Sequence, residues 1–422
     1  MVEDVDDGAA ETGATGAPGE RRAYATYGGP VDTAGDAAEA ARLAEAWSVD
    51  DADARALTHG FHAYAGRMHP STARRLLRAF APEGGRVLDP FCGGGTVLVE
   101  AYAGGRDALG VDASPLAVQL ARVRTAPLDA ERRAELLLRA ERIAERAKTM
   151  AFDRTPPRVP PGARGEFDRF EPHVAYELFS LREPLFEEGQ PDASTRALRL
   201  CLSSILVKCL TREAPLGKGA REAGAAPKPR RIGRGMPSRW FADRARELVD
   251  GLAALEAAAP PGTPTPRVEE ADARHLEGVG AGTIDFVASS PPYAGVYDYA
   301  EEHEVRFTWL GLPRERLERT QWGTRQAAGG ADAEAWSTGR ARWMAQLARV
   351  LKPGARAALV VGDGVVEDAA EDAAEATAAA ATRAGLTFVA RASQPRPPVH
   401  PALARAFQGR VRKEHVVLLA KA

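Results

Sequence analysis

The stretch Ser289-Ser290-Pro291-Pro292-Tyr293 places hydrogen-bond acceptors and an aromatic ring directly after a short apolar run, Thr283 to Ala288. Two consecutive prolines fix the backbone and remove two N–H donors. The Ser290 hydroxyl and the Pro291 carbonyl remain, and both can accept from an amino group. Two such bonds to one exocyclic nitrogen would draw its lone pair out of conjugation and aim it at an electrophile. Tyr293 offers a flat face on which a base can stack. This is catalysis by orientation more than by acid–base chemistry. Taken alone, the stretch reads equally well as a Pro-rich turn after a strand.

A second constellation lies far upstream: Val87-Leu88-Asp89-Pro90-Phe91-Cys92-Gly93-Gly94-Gly95-Thr96. Glycines let a backbone approach a ligand that a Cβ would block. A helix starting at Thr96 would offer free amides to a carboxylate or phosphate. Asp89, at the end of a strand, is placed to take an ammonium group. Asp112, at the end of the next strand, is placed to bind ribose hydroxyls. Asp89-Pro90 stands where dinucleotide-binding folds carry glycine, so the pattern points to S-adenosylmethionine rather than NAD. Cys92 reads as a small turn residue, because methyl transfer to an amine needs no covalent intermediate.

Two weaker signals accompany these. Tyr297-Asp298-Tyr299 and Glu301-Glu302-His303 lie on the segment leaving the proline motif. Tyr297 is placed either to wall a base pocket or to pack in the core. Trp309 and Leu310 read as core, and His303 as structural. Residues 211–240 carry Arg212, Lys218, Arg221, Lys228, Arg230, Arg231, Arg234 and Arg239 against few acids. Positive charge without apolar spacing suits phosphate contacts, and Arg230, Arg231, Arg234 and Arg239 are the residues expected to make them. A solvated arginine-rich linker is the bland alternative.

The elements that must position these residues follow a regular order. His69-Pro70 opens a helix whose apolar face includes Leu76, Leu77 and Phe80. Arg86 to Asp89 is a short strand, Thr96 to Ala103 a helix, and Ala108 to Asp112 a second strand. Ser114-Pro115 opens the next helix. Strand, Gly-rich turn, helix, strand and acid is the opening of a doubly wound α/β sheet. The pattern breaks at residue 126. Helical stretches are expected at Ala130–Met150, Val174–Phe186, Ala197–Leu210 and Phe241–Ala259, with 211–240 as a loop. Strands resume near Arg267–Glu269, which runs into Asp272, and at Ile284–Ala288. A helix from Trp343 stops at Lys352-Pro353-Gly354. Ala357–Val361 is a strand, Val366–Ala384 an Ala-rich helix, and Leu386–Ala390 with His415–Ala420 an antiparallel pair. The expected organisation is a disordered acidic leader (1–45), a first core part (46–125), a helical insertion (126–265) and a second core part (266–422).

Composition sets the outer limits. The 422 residues carry 45% apolar residues and a formal net charge of −2. A sizeable core is possible, and any nucleic-acid contact must come from local basic patches. Nine acids face two arginines in the first 40 residues, which suggests a leader that does not pack. Cys92, Cys201 and Cys209 lack metal-ligand spacing, so no metal site is expected and the usage fits a reducing cytoplasm. No apolar run reaches the ~20 residues of a membrane span.

The two motifs together resemble the amino-methyltransferases of nucleic acids, which methylate exocyclic nitrogens of cytosine or adenine. Asp89 to Thr96 is similar to their cofactor motif, often written DPFCGSGT, with Gly94 in the serine position. Ser290-Pro291-Pro292-Tyr293 is similar to their catalytic motif, and serine in its first position is more typical of the cytosine-N4 enzymes. His69-Pro70 resembles the segment that packs over the methionine. The resemblance implies a seven-stranded Rossmann-like sheet with a helical insertion. It implies that Asp89, Pro90, Phe91, Cys92, Gly93, Gly95, Thr96, Asp112 and Asp272 surround S-adenosylmethionine, with Asp112 on the ribose and Asp272 near the adenine. Ser290, Pro291, Pro292 and Tyr293 would then hold the target base. The implied partner is DNA, in a restriction–modification setting with a companion endonuclease. Adenine-N6 methylation, methylation of tRNA or rRNA, and a catalytically silent nucleic-acid-binding protein are the alternatives.

Overall fold

The computed structural model describes residues 29–49, 51–159, 163–186, 190–210, 231–324, 330–398 and 401–422. In chain order its strands are β1 (Asp32–Gly35), β2 (Arg86–Asp89), β3 (Asp107–Asp112), β4 (Arg267–Glu270), β5 (Ile284–Ser289), β6 (Leu351–Gly362), β7 (Gly364–Val366), β8 (Ala369–Glu371), β9 (Leu386–Pro395) and β10 (Lys413–Lys421). Eight of them form a central sheet in the order β1-β9-β10-β6-β5-β2-β3-β4, and β7 pairs with β8 in a separate hairpin. Strands β4, β3, β2, β5 and β6 run parallel, while β10 lies antiparallel between β6 and β9. The order reverses between β2 and β5. In open α/β sheets the crevice at such a reversal, outside the carboxyl ends of the strands, is where ligands bind.

The sheet is covered on both faces, and the side chains alternate accordingly. Ala358, Val360, Val416 and Leu418 pack with Leu76, Leu77, Val97 and Leu98 on one face. Their chain neighbours Ala357, Leu359, Val417 and Leu419 pack with Trp343, Met344 and Leu347 on the other. His69 caps the helix Pro70–Phe80, accepting from Ser71 N at 3.2 Å, and Ser114 caps Pro115–Thr125. Both helices carry proline at their first position, where no donor is lost.

Between β3 and β4 run four further long helices: Ala130–Asp153, Pro172–Arg182, Ala193–Cys209 and Met236–Ala258. Their apolar faces (Leu136, Phe179, Leu198, Phe241) share one core with Phe61, Leu116 and Leu120 and with Phe307 and Trp309. The insertion is thus fused to the segments on either side of the cleft.

Several expectations need correction. The sheet has an eighth strand. Residues 32–35 form β1 on β9, and Ala37–Glu45 is a helix capped by Asp36 that buries Ala40 and Leu43. Composition averaged over the acidic leader hides this short amphipathic segment; residues 1–28 lie outside the described residues. The helix expected from Phe241 begins at Met236, so Arg239 is helical. Gly235 enters it in the left-handed region (φ 80°), and Pro237 sits in its first turn. The helix expected from Val366 starts only at Ala373. Glu367 and Asp368 adopt positive φ and turn the preceding residues into the β7–β8 hairpin. Lys352-Pro353-Gly354 is an irregularity within β6, where the pairing with β5 shifts register. Among the described residues, no helix is long and apolar enough to cross a membrane. The three cysteines are buried free thiols.

Candidate active site

A cleft with about 870 Å³ of open space lies at the carboxyl ends of β2, β3 and β5, lined by both motifs. Asp89, Phe91, Gly93, Thr96, Asp112 and Asp272 face it from one side, and Ser290 and Pro292 from the other.

The cofactor-side wall is built from the Gly-rich turn. Gly93 (φ 47°) and Gly95 (φ 81°) occupy the left-handed region, which β-carbon-bearing residues avoid. A Cβ at Gly93 would meet the Tyr64 ring at 3.2 Å, and one at Gly95 would meet Ala121 at 3.0 Å. Cys92 is buried, its thiol pushed up by burial, and its sulfur lies 3.0 Å from where a Gly110 Cβ would stand. It therefore packs the turn onto β3. Gly94 is also constrained. Its carbonyl accepts from buried Arg124 at 2.8 Å, and a Cβ there would stand 2.7 Å from that guanidinium. A serine at this position would crowd the arginine.

Two buried carboxylates dominate the electrostatics. Asp89 accepts from the Ser289 hydroxyl at 2.6 Å and the Phe91 amide at 3.2 Å. Burial pushes its pKa up to about 7 against those two bonds. Asp112 accepts from Gly93 N and Ser114 N, each at 2.8 Å, so each carboxylate oxygen already braces the turn. Burial pushes its pKa up to about 6. Thr96 is buried, and among the described residues its hydroxyl has no hydrogen-bond partner, a state that ordinarily calls for a ligand or water. Asp272 grips Arg274 through both oxygens (2.6–3.0 Å), and Arg274 reaches on to the Thr320 carbonyl at 2.9 Å.

The opposite wall is less regular. Ser290 and Pro292 reach the cleft, whereas Pro291 is buried and Tyr293 does not line it. The Tyr293 ring packs with the Val296, Val365, Leu403 and Phe407 cluster. Its hydroxyl donates to Glu414 Oε1 at 2.7 Å and lies 3.4 Å from Ser290 Oγ. Tyr293, expected as the stacking face, thus stands beside the cleft lining, next to Ser290. A run of tyrosines flanks the cleft instead. Ring centroids are 6.4 Å apart for Tyr293–Tyr297, 5.5 Å for Tyr297–Tyr299 and 6.2 Å for Tyr299–Tyr64. Tyr299 and Tyr64 face the cleft; Tyr297 backs them. His303 is buried under Tyr64, its ring 4.7 Å away, and is bonded to Arg306.

Sequence reasoning missed much of this wall. Tyr64 to Met68, Leu317, Thr320, Gln321 and Trp322 line the cleft. None carries a local motif, although the loop 64–68 runs directly into His69-Pro70. Ser289, rather than Ser290, is the serine that touches Asp89, because β5 lies next to β2. Of the basic residues, Arg231, Arg234 and Arg239 are exposed and Arg230 lies outside the described residues. Arg234 donates to the Ala151 carbonyl at 2.8 Å, and Arg239 lies 3.8 Å from Asp243.

Comparison with known proteins fits the cofactor side of this cleft. Residues 41–123 match the N6/N4 methyltransferase family of DNA methylases. The chain is 37% identical over 76 residues to the type II methyltransferase M.MvaI of Kocuria varians, covering 17% of this chain and 17% of that protein. It is 32% identical over 80 residues to M.MjaII of Methanocaldococcus jannaschii, covering 19% of this chain and 15% of that one. The match thus spans less than a fifth of either relative. TrmN from Thermus thermophilus aligns over 85% of this chain and 50% of its own, with 14% identity and a TM-score of 0.33. Similarity to DNA methylases implies S-adenosylmethionine, and the residues present fit that group: a buried carboxylate for an ammonium, a buried hydroxyl with no partner among the described residues, two glycines in the left-handed region and a carboxylate at the end of β3.

Proposed function

We propose that this protein transfers a methyl group from S-adenosylmethionine to an exocyclic amino group of a base in DNA, cytosine N4 first. The observation that carries this reading is that Asp89 and Ser290, 201 positions apart in the chain, line one cleft at the ends of neighbouring parallel strands. Supporting it are the DNA methylase match around the first motif and serine ahead of the two prolines.

In this reading Asp89, freed of its proton, holds the ammonium end of the cofactor. Asp112 holds the ribose while keeping Gly93 and Ser114 in place. S-adenosylmethionine, when bound, supplies a methyl carbon made electrophilic by the sulfonium. Ser290 Oγ and the Pro291 carbonyl accept from the target amine and turn its lone pair toward that carbon. No residue needs to ionise for the transfer itself. The base is taken out of the duplex and held between the proline rim and the Tyr64–Tyr299 wall. The proton released by the amine leaves to water. Arg231 and Arg239 bind backbone phosphates, together with Arg230.

Incubation of the full chain with methyl-labelled S-adenosylmethionine and separate pools of DNA and of tRNA with rRNA tests the reading. Nucleoside mass analysis of the labelled pool should find N4-methylcytosine in DNA. N6-methyladenine in DNA would replace only the choice of base. Label in RNA alone, or in neither pool, would overturn the DNA reading.

A further inference from the structure

Behind the proline rim, three adjacent strands bury a chain of polar side chains that the transfer reading leaves without a task. Glu414 on β10 stands opposite Gly362 on β6 and Gln394 on β9. One carboxylate oxygen accepts from the Tyr293 hydroxyl at 2.7 Å, the other from Arg396 Nε at 3.0 Å. Arg396 also donates to Gln394 Oε1 at 2.6 Å, and Gln394 donates to the Gly29 carbonyl at 3.1 Å. The guanidinium lies 4.9 Å from the centre of the Trp47 ring. All of these groups are nearly buried: Gln394 is 6% exposed, Arg396 6% and Glu414 9%.

The Tyr293 ring is held from below as well. A Cβ on Gly362 would stand 2.5 Å from it, so the ring lies directly on the β6 backbone. At its tip, Ser290 Oγ is 3.4 Å from the tyrosine hydroxyl. A buried carboxylate paired with arginine is costly unless both partners are fixed, and a fixed carboxylate orients whatever donates to it. Tyr293 joins this rigid cluster to the Ser290 hydroxyl, which faces the cleft.

We propose that Glu414, backed by Arg396, is a positioning residue for the transfer site: it holds Tyr293, and through Tyr293 it sets where the Ser290 acceptor points. The inference rests on the methyl-transfer reading for what Ser290 does, but the restraint itself is measurable without turnover.

The test uses the full chain as wild type, Tyr293→Phe, Glu414→Gln and the double variant. Three quantities are measured: methyl transfer to the DNA pool, cofactor affinity by calorimetry, and amide hydrogen exchange over 289–297. Each single variant should lower turnover roughly ten- to hundredfold and leave cofactor affinity within about twofold. The double variant should be no worse than the poorer single, because both break one link. Exchange should quicken at 289–297 and not in β2 or β3. Tyr293→Phe removes a single oxygen, so it stays informative should Glu414→Gln fold poorly. Unchanged turnover in Tyr293→Phe, or losses that multiply in the double variant, would overturn the proposal. Should the wild type methylate no nucleic acid, the transfer reading fails. Exchange then decides the restraint separately: equal exchange in wild type and Tyr293→Phe overturns it, and faster exchange in the variant sustains it.

Discussion

The cofactor side of the cleft comes from eight consecutive residues, 89–96, plus the end of the adjacent strand. The opposite side collects residues from 290–299 and 317–322 and is braced from β9 and β10, while 64–68 leads from the Gly-rich turn toward it. On the first side the chemistry is made close together in the chain, by left-handed glycines, free helix amides and two side-chain carboxylates buried deeply enough to raise their pKa. On the second it is made by side chains that meet only after the sheet has formed. The difference teaches where each wall is vulnerable. The first should fail through loss of charge or of a glycine, and the second through loss of orientation.

The largest expected effect tests the first wall. Asp89→Asn keeps the size of the side chain and its bond to Ser289 but removes the charge. Cofactor affinity should fall by about thirty- to hundredfold, as expected for a charge-assisted bond of about 2–3 kcal/mol. Calorimetry measures it, and unchanged affinity would remove Asp89 from the cofactor. Next comes the second wall. Ser290→Ala should cost roughly tenfold or more in turnover on DNA while cofactor affinity stays the same, which isolates orientation from binding. If both quantities fell together, the two walls would not be separable.

A smaller effect is set by pH. The Asp89 pKa is about 7 in the folded chain, against 3.8 for an aspartate free in water. Between those pH values the folded chain holds a proton that the unfolded chain has released. The contribution of Asp89 to stability is therefore fully present below about pH 4 and is lost as pH rises through 7. Asp112, raised to about 6, adds the same sign over a narrower window. Without cofactor, the melting temperature of the wild type relative to Asp89→Asn should fall between about pH 4 and 7. Cofactor affinity should rise over the same interval, because the ammonium requires the ionised carboxylate. A flat difference in melting temperature would show that burial does not hold Asp89 protonated.

The smallest effect lies outside both walls. Arg231→Ala with Arg239→Ala should weaken DNA binding a few-fold and lower the salt slope by about one for each phosphate no longer neutralised. Arg234→Ala should change the slope less, because that side chain is tied to the Ala151 carbonyl. An unchanged slope in the Arg231 and Arg239 variants would place the DNA elsewhere.

The sequence by itself determined the parts whose signal is local. Proline at helix starts, the Gly-rich turn and short apolar runs placed β2, the helix from Thr96, the helix from Pro70 and β5 within a residue or so, because caps and φ restrictions act over three or four positions. The same locality made Asp89, Asp112 and the proline rim legible as candidates, and they line one cleft. What only the tertiary structure decided has no near neighbour to announce it. The Tyr293 hydroxyl meets Glu414, 121 positions away, and its ring lies on a glycine in β6 that leaves room beneath it. The Ser289–Asp89 bond exists because β5 pairs with β2 across 200 positions. The edge strand β1 and its helix escaped notice because their stability comes from β9, not from their own acidic, alanine-rich composition. Which distant segments meet is set by sheet order and packing, and periodicity within any one segment does not encode it.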